Sequence, residues 1–411
     1  MTSGPVQLAL QQEVLPTNTA IRLTSPGPAL SRPVRVLHAA HTSAWSGAEI
    51  ALVRLIGALD RRLVTSILVC AEDGRLADVA RRQNVQTLIE PLSQSLRNRR
   101  RRQIRSISTL AHVPALGAYA CRLARLAKAH QVDVIHTNSL KAFTYGVLAG
   151  RIAGVPVVAH LRDDLDHLEA GAAGRAIRSL LRRLPDAVIG CSAHVLTAAR
   201  ITSPRSHVVY TGISRENVAD QAILRSGPPV VGMVARIAPW KGQHLFLRAA
   251  AEIAARRPDA RFRIIGGPMF GEDGYLRELE DLATIEPLAG RVEFTGFVAD
   301  PRTAYERLTV AVAASVAPEP FGKVIIEAMA RGVPVVAPAE GGPTEIITHG
   351  VDGLLVPPRD PGALATAILR LLDSPGVAES IAGQALCTIR TRFTLEASAE
   401  RFTGVLLGVV S

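Results

Sequence analysis

The sequence predicts an α/β protein of two domains, each a doubly wound parallel sheet, facing one another across a deep cleft. Three observations carry that reading. A chain of 411 residues is too long for one ordinary core, and two domains of about 200 residues are the natural division. Apolar residues make up 48% but aromatics only 4%, so Ala, Val, Leu and Ile must build the cores, as in parallel strands covered by Ala-rich helices. Short apolar runs alternate with longer helical segments, and the alternation stops and restarts once.

In order along the chain, residues 1–32 are rich in Pro, Ser and Thr and read as a flexible leader, with no basic start and apolar stretch to make a secretory signal. The first domain, 33–215, opens with strand Arg35–Ala40 and helix Ala48–Leu59. Strand Val64–Cys70, helix Gly74–Gln83, strand Val132–His136, helix Ala142–Ala153 and strand Val155–His160 follow. Strands Val188–Cys191 and His207–Tyr210 complete its sheet. Arg215–Pro229 is polar, ends in Gly-Pro-Pro and reads as a linker. The second domain, 216–390, runs through strand Val230–Val234, helix Gln243–Arg256, strand Arg261–Ile265, helix Tyr275–Ala283 and strand Val292–Thr295. A helix near Ala304–Leu308, strand Val310–Ala314, helix Val324–Arg331 and strands Pro334–Ala337 and Gly353–Val356 close it. Residues 391–411 are expected to form a helix returning to the first domain. In open parallel sheets ligands sit beyond the carboxyl ends of the strands, so the cleft is the expected site.

The net charge of +11 points to an anionic substrate, an anionic surface or a solvated Arg-rich exterior, without choosing among them. Cys70, Cys121, Cys191 and Cys387 make no CxxC pair, which argues against zinc and a disulfide framework; they read as small buried residues of a reducing compartment. No apolar run reaches the ~18 residues of a membrane span. Arg97–Arg105 places six arginines in nine residues. That run fits a solvated loop or a peripheral contact with an anionic surface. Nucleic acid fits poorly, because no aromatics are interleaved to stack on bases. The expected location is the cytoplasm, including the inner face of the membrane.

The chemistry concentrates in the second half. After strand Val230–Val234 come Arg236 and Lys241, five apart, and then a helix opens. A forked guanidinium, a point-charge ammonium and helix amides suit a diphosphate, although two solvated cations would look the same in isolation. After strand Val310–Ala314 come Glu319-Pro320-Phe321-Gly322 and a helix bearing Glu327, eight residues on. A carboxylate there can accept two hydrogen bonds from a vicinal diol such as ribose, and the Pro-Phe-Gly segment can bring backbone amides to a phosphate.

These segments resemble the retaining glycosyltransferases of family 4, which have the GT-B fold; the resemblance covers most of residues 34–411. It implies a metal-independent transferase with no cofactor, taking a UDP-, GDP- or dTDP-sugar and passing the sugar to a hydroxylated acceptor. It implies that Arg236 and Lys241 hold the donor diphosphate, Glu319 the sugar and Glu327 the ribose, with Phe321, Gly322 and Lys323 in the donor loop. Glu340-Gly341-Gly342-Pro343 matches a loop near the donor, and Val298 falls where the family's backbone meets the nucleobase. In the first half, Gly47 matches the glycine that closes over the phosphates, with Ser46 in place of the usual second glycine. His160 matches the active-site histidine. Asn138, Asp163 and Asp164 are candidate acceptor contacts. Asp164-Leu165-Asp166 mimics a metal-binding DxD, but Arg236, Lys241 and helix amides already meet the phosphate charge, so no metal site is expected.

The expected process is antibiotic, surface-glycan or glycolipid biosynthesis. A nucleotide-sugar epimerase would act on donor alone, and a non-catalytic sugar-nucleotide-binding protein should have lost polar cleft residues. Both remain alternatives at this point.

Overall fold

The computed structural model describes residues 32–93, 113–163, 172–222, 225, 227–269, 271–298 and 300–411. Arg97–Arg105, Asp164 and nearly all of the expected leader lie outside them. The first sheet contains β1 (Val34–Ala40), β2 (Val64–Cys70), β3 (Gln86–Ile89), β4 (Val134–Thr137), β5 (Val157–Leu161), β6 (Ala187–Gly190) and β7 (Ser206–Val208). Their order is β3-β2-β1-β4-β5-β6-β7, all parallel. The second contains β8 (Val230–Val234), β9 (Arg261–Ile265), β10 (Val292–Gly296), β11 (Val310–Val312), β12 (Val335–Pro338) and β13 (Leu354–Val356), in the order β10-β9-β8-β11-β12-β13, again all parallel.

The helices of the first domain are α1 (Gly47–Ala58), α2 (Arg75–Arg82), α3 (Val113–Ala129), α4 (Leu140–Ala153), α5 (Ala172–Arg183) and α6 (Ala193–Ala198). Those of the second are α7 (Gln243–Arg256), α8 (Asp273–Ala283), α9 (Pro301–Tyr305), α10 (Lys323–Ala330), α11 (Pro343–Ile346), α12 (Pro361–Asp373) and α13 (Pro375–Arg392). The last helix is α14 (Leu395–Val410). Among the described residues no helix is long and apolar enough to cross a membrane.

Strand order reverses once in each sheet, between β1 and β4 and between β8 and β11. At such a switch point the flanking crossovers leave to opposite sides and open a crevice at the strands' carboxyl ends. The segments after β1, β4, β8 and β11 therefore border the cleft.

Several elements differ from the expectation. The helix sought near Ala304–Leu308 is Pro301–Tyr305, because Asp300 accepts the amide of Arg302 and Pro301 occupies the first turn, where its missing N–H costs nothing. The strand sought at His207–Tyr210 is Ser206–Val208. The short edge strand β3 and helices α3, α5, α12 and α13 were not anticipated. Cys70 and Cys191 are buried as expected, but Cys121 is half-buried and Cys387 exposed on α13.

Chain crossing between domains falls at Phe393–Leu395, where Ile213 N–H donates to Phe393 O at 2.8 Å and Leu395 N–H to Ile213 O at 3.0 Å. Helix α14 then packs on α1 and β4, sending Phe402, Val405 and Leu406 into a core with Val36, Leu55, Val134 and Val158. Phe402 is fully buried. Phe402→Ala should therefore cost about 3–5 kcal/mol of stability. Urea titration monitored by far-ultraviolet circular dichroism would read it, and a loss below about 1 kcal/mol would mean that α14 is not anchored through this ring.

Candidate active site

On the second domain, the segment after β8 turns through a short 3₁₀ helix, Pro239–Lys241, into α7. Gly242 makes the turn at φ +79°, and a Cβ there would lie 1.8 Å from the carbonyl oxygen of Ala314, so the β8 and β11 loops touch only because this residue is Gly. Gln243 Nε2 donates to Arg236 O at 2.8 Å, tying the loop to the helix start. Trp240 lies between the two cations, with Lys241 Nζ 4.1 Å and Arg236 Cζ 5.8 Å from its ring centre. Arg236 is 3.6 Å from Glu272, and Lys241 forms an ion pair with Glu319.

Glu319 is buried, and its carboxylate also accepts from Ser315 Oγ. Gly342 N–H donates to Glu319 O at 2.8 Å, so the Glu340–Pro343 loop lies directly on the glutamate loop. At Gly322, φ is +103° and α10 begins. Along α10, Lys323 Nζ pairs with Glu327 at 3.1 Å, and Tyr305 Oη donates to the same carboxylate at 3.4 Å. The ring of Phe321 stacks on Tyr210 of the first domain at 5.7 Å and is buried there. Val298, with Ile265, Thr295 and Thr303, lines a groove of about 330 Å³ beyond β9 and β10.

On the first domain, Gly47 begins α1, and a Cβ there would meet no heavy atom within 4 Å. Ser46 does not cap the helix; its hydroxyl bonds to Glu49, a buried acid whose pKa desolvation raises. Asn138 joins two parts of this wall: its Nδ2 donates to Ala48 O at 3.1 Å, and its Oδ1 accepts from Arg162 Nε at 3.0 Å. Asp163 is half-buried beside Arg162.

His160 is buried at the end of β5, and its Nε2 meets no hydrogen-bond partner among the described residues. With Arg54, Arg162 and Tyr210 it lines a cavity of about 10 Å³, room for one water. Arg162 had not been singled out, yet alternation along a strand places it on the face of His160. Burial lowers its pKa to about 10, and its Nη2 has no partner among the described residues.

Two further histidines lie behind His160. His136 Nε2 is 3.2 Å from His160 Nδ1, His136 Nδ1 is 3.0 Å from His38 Nδ1, and His38 Nε2 is 3.1 Å from Ser66 Oγ. Burial holds His38 down at about pKa 3 and drives His136 and His160 well below the usual histidine value.

The two walls meet. Glu345 of the second domain accepts the amides of Ala193 and His194 at 2.8 and 2.7 Å and the Tyr210 hydroxyl at 3.0 Å. Ser192 Oγ bonds to Pro320 O, and Arg54 stands 4.0 Å from Glu327. Glu327 is thereby brought to Arg54, which lines the small cavity of His160.

Comparison with known proteins agrees with that geometry. Residues 45–217 match the family described as Glycosyltransferase Family 4, and residues 228–374 match Glycosyl transferases group 1. The D-inositol 3-phosphate glycosyltransferase of Acidothermus cellulolyticus is 32% identical over 323 residues, 72% of this chain and 71% of that one. The chain belongs to glycosyltransferase family 4.

Among this family, the alpha-D-kanosaminyltransferase of Streptomyces kanamyceticus is 34% identical over 43% of this chain and 45% of its own. Anabaena HepE, solved with UDP and glucose, superposes with a TM-score of 0.77 at 27% identity, covering 91% of this chain and 99% of its own. Sucrose-phosphate synthase from Thermosynechococcus elongatus, at 21% identity and a TM-score of 0.75 over 92% of this chain and 99% of its own, shares the GT-B fold. This glycosyltransferase is therefore a GT-B enzyme, as its sequence resemblance implied.

Three buried neutral imidazoles give the enzyme an acid limit. Unfolded, each takes up a proton below pH ~6.5, whereas folded each stays neutral far lower, so stability is full above that pH and falls as pH drops. Together they should remove about 3 kcal/mol between pH 6.5 and 5.5. Urea midpoints at the two pH values test this, and equal midpoints would mean that the rings charge while folded.

Proposed function

We propose that this glycosyltransferase transfers a sugar from a nucleoside diphosphate donor to an acceptor hydroxyl with retention at the anomeric carbon and without a metal. The observation that carries the reading is the joining of the two switch-point loops of the second domain by the Lys241–Glu319 ion pair, with Arg236 on one side and Glu327 on the other. In this reading Arg236 and Lys241 bind the diphosphate, and the amides at the starts of α7 and α10 add fixed positive potential. Glu319 receives the sugar hydroxyls and Glu327 the ribose diol. The Val298 backbone meets the base, and Gly47 closes over the phosphates from the facing domain.

Negative charge grows on the leaving diphosphate as the glycosidic bond breaks, where these cations already stand, so the barrier falls by preorganised electrostatics. The acceptor oxygen bonds to the anomeric carbon on the face the diphosphate leaves, and the acceptor proton passes to the departing phosphate oxygen. That course retains configuration and needs no protein nucleophile. The UDP bound by HepE supports UDP as the first donor nucleotide to test. The name of the inositol 3-phosphate glycosyltransferase supports a polar cyclitol acceptor, and that of the kanosaminyltransferase supports an amino sugar as a group to test in the donor. In this reading Asn138, Asp163 and Asp164 contact that acceptor. Antibiotic or surface-glycan assembly is the process this chemistry suits.

A thermal-shift panel of UDP, GDP and dTDP with their sugars should show stabilisation by one nucleotide, unchanged by EDTA. Stabilisation lost on chelation would overturn the metal-free reading, and none with any nucleotide would overturn the donor site. Lys241→Gln should lower kcat about 10²–10³-fold, the scale of one lost preorganised charge. Glu327→Gln should act mainly by raising the donor KM. Equal effects of the two variants on both parameters would mean that the ribose and phosphate roles are misassigned.

A further inference from the structure

We propose that Ser66, His38 and His136 form a polarised hydrogen-bond chain that fixes His160 as a neutral donor at Nε2. This inference rests on the proposed function and on reading His160 as the active-site histidine beside the donor sugar, which the family resemblance implies. The four groups come from β2, β1, β4 and β5, which are neighbours in the sheet, and the three contacts between them span 3.0–3.2 Å. All three histidines are buried. Phe402 of α14 seals the rings from the other side: its ring centre lies 6.2, 4.9 and 6.3 Å from those of His38, His136 and His160.

A neutral imidazole has one N–H and one bare nitrogen, so the contacts are not independent. If the chain runs one way, Ser66 O–H donates to His38 Nε2, His38 Nδ1–H to His136 Nδ1, and His136 Nε2–H to His160 Nδ1. His160 then carries its proton on Nε2, the nitrogen left without a protein partner. If it runs the other way, every proton shifts and His160 Nε2 is bare. No mixed arrangement satisfies all three contacts without charging a ring or leaving two lone pairs face to face.

The first direction is favoured at both ends. It gives a serine hydroxyl, a strong donor, to an imidazole lone pair, and it places two of the three rings in their intrinsically preferred Nε2–H form. Arg162, at the end of β5, is the charged group facing His136 and His160, and it opposes a further positive charge there. His160 therefore offers a hydrogen bond to a sugar oxygen without becoming an imidazolium beside a carbon that gains positive charge in the transition state. Ser66, His38 and His136 are positioning residues; they act through His160.

The test is ¹⁵N NMR of the ring nitrogens in histidine-labelled full-length enzyme, with Ser66→Ala and Ser66→Thr compared to wild type. Wild type should show His160 protonated at Nε2 and bare at Nδ1. Ser66→Ala removes a half-buried hydroxyl three residues from the cleft in the chain of contacts; it should mix the His160 tautomers and lower kcat about 3–10-fold with little change in donor KM, the scale of one lost net hydrogen bond. Ser66→Thr keeps the hydroxyl and should restore both the shifts and kcat. Unmoved His160 shifts in Ser66→Ala, or a protonated Nδ1 in wild type, would overturn the chain. A His160→Phe enzyme with wild-type kcat would instead overturn the role of His160 itself, whatever the shifts in the serine variants.

Discussion

The reversal of strand order in each parallel sheet is the constraint on which the rest of this molecule depends. Right-handed crossovers force the connections on the two sides of β1/β4 and β8/β11 to leave in opposite directions. The loops at those points cannot cover the strand ends, so polar side chains there stay accessible within an otherwise apolar fold. Arg236, Lys241 and Glu319 occupy one crevice, and Gly47 and Asn138 the other. Because the two crevices face each other, residues as far apart in sequence as Gly47 and Glu319 border the space between the domains. The contacts that hold the domains together, Glu345 on the amides of α6 and Phe321 on Tyr210, border this volume and leave the cation pair outside the packed interface.

The C-terminal helix has a chemical as well as a mechanical role. Helix α14 crosses back from the second domain and places Phe402 against the three imidazoles. Burial, to which that ring contributes one face, is what keeps the histidines neutral. With it they are dry and neutral, at a cost in stability that appears only in acid. The same helix adds Val405 and Leu406 to the core under β1 and β4, so the apolar packing that fixes the domain also sets the protonation of its buried polar groups.

Much of this was legible in the sequence, and the limits are physical. Buried parallel strands announce themselves as β-branched runs, so β1, β2, β8 and β9 were readable almost to the residue. The Arg236–Lys241 and Glu319–Glu327 spacings were readable because each pair lies on a single loop and helix. Arg162 could have been found from strand alternation after His160. The histidine chain could not. His38, His136 and His160 each look like an ordinary core residue, and only the pairing of β1 with β4 and β4 with β5 brings them into contact. The direction of the Phe321 ring was equally hidden, since it depends on Tyr210 and Phe393 arriving from far along the chain. Helices α12 and α13 each begin with Pro at the first position, a start signal that could have been read.

The ion pair between Lys241 and Glu319 shows how such a site can remain both stable and reactive. Taking two charges out of water costs several kcal/mol for each ion, and mutual attraction with good hydrogen bonding offsets that cost without necessarily exceeding it. Ser315 supplies the extra hydrogen bond, and Trp240 gives the ammonium a ring face to lie on. In the proposed reading, an arriving diphosphate supplies Lys241 with a second anion while sugar hydroxyls supply Glu319 with donors. Neither ion is then left bare when the pair loosens. In that reading the charge that steadies the loop is the same one that meets the leaving group, so the preorganisation that catalysis needs belongs to the folded second domain itself.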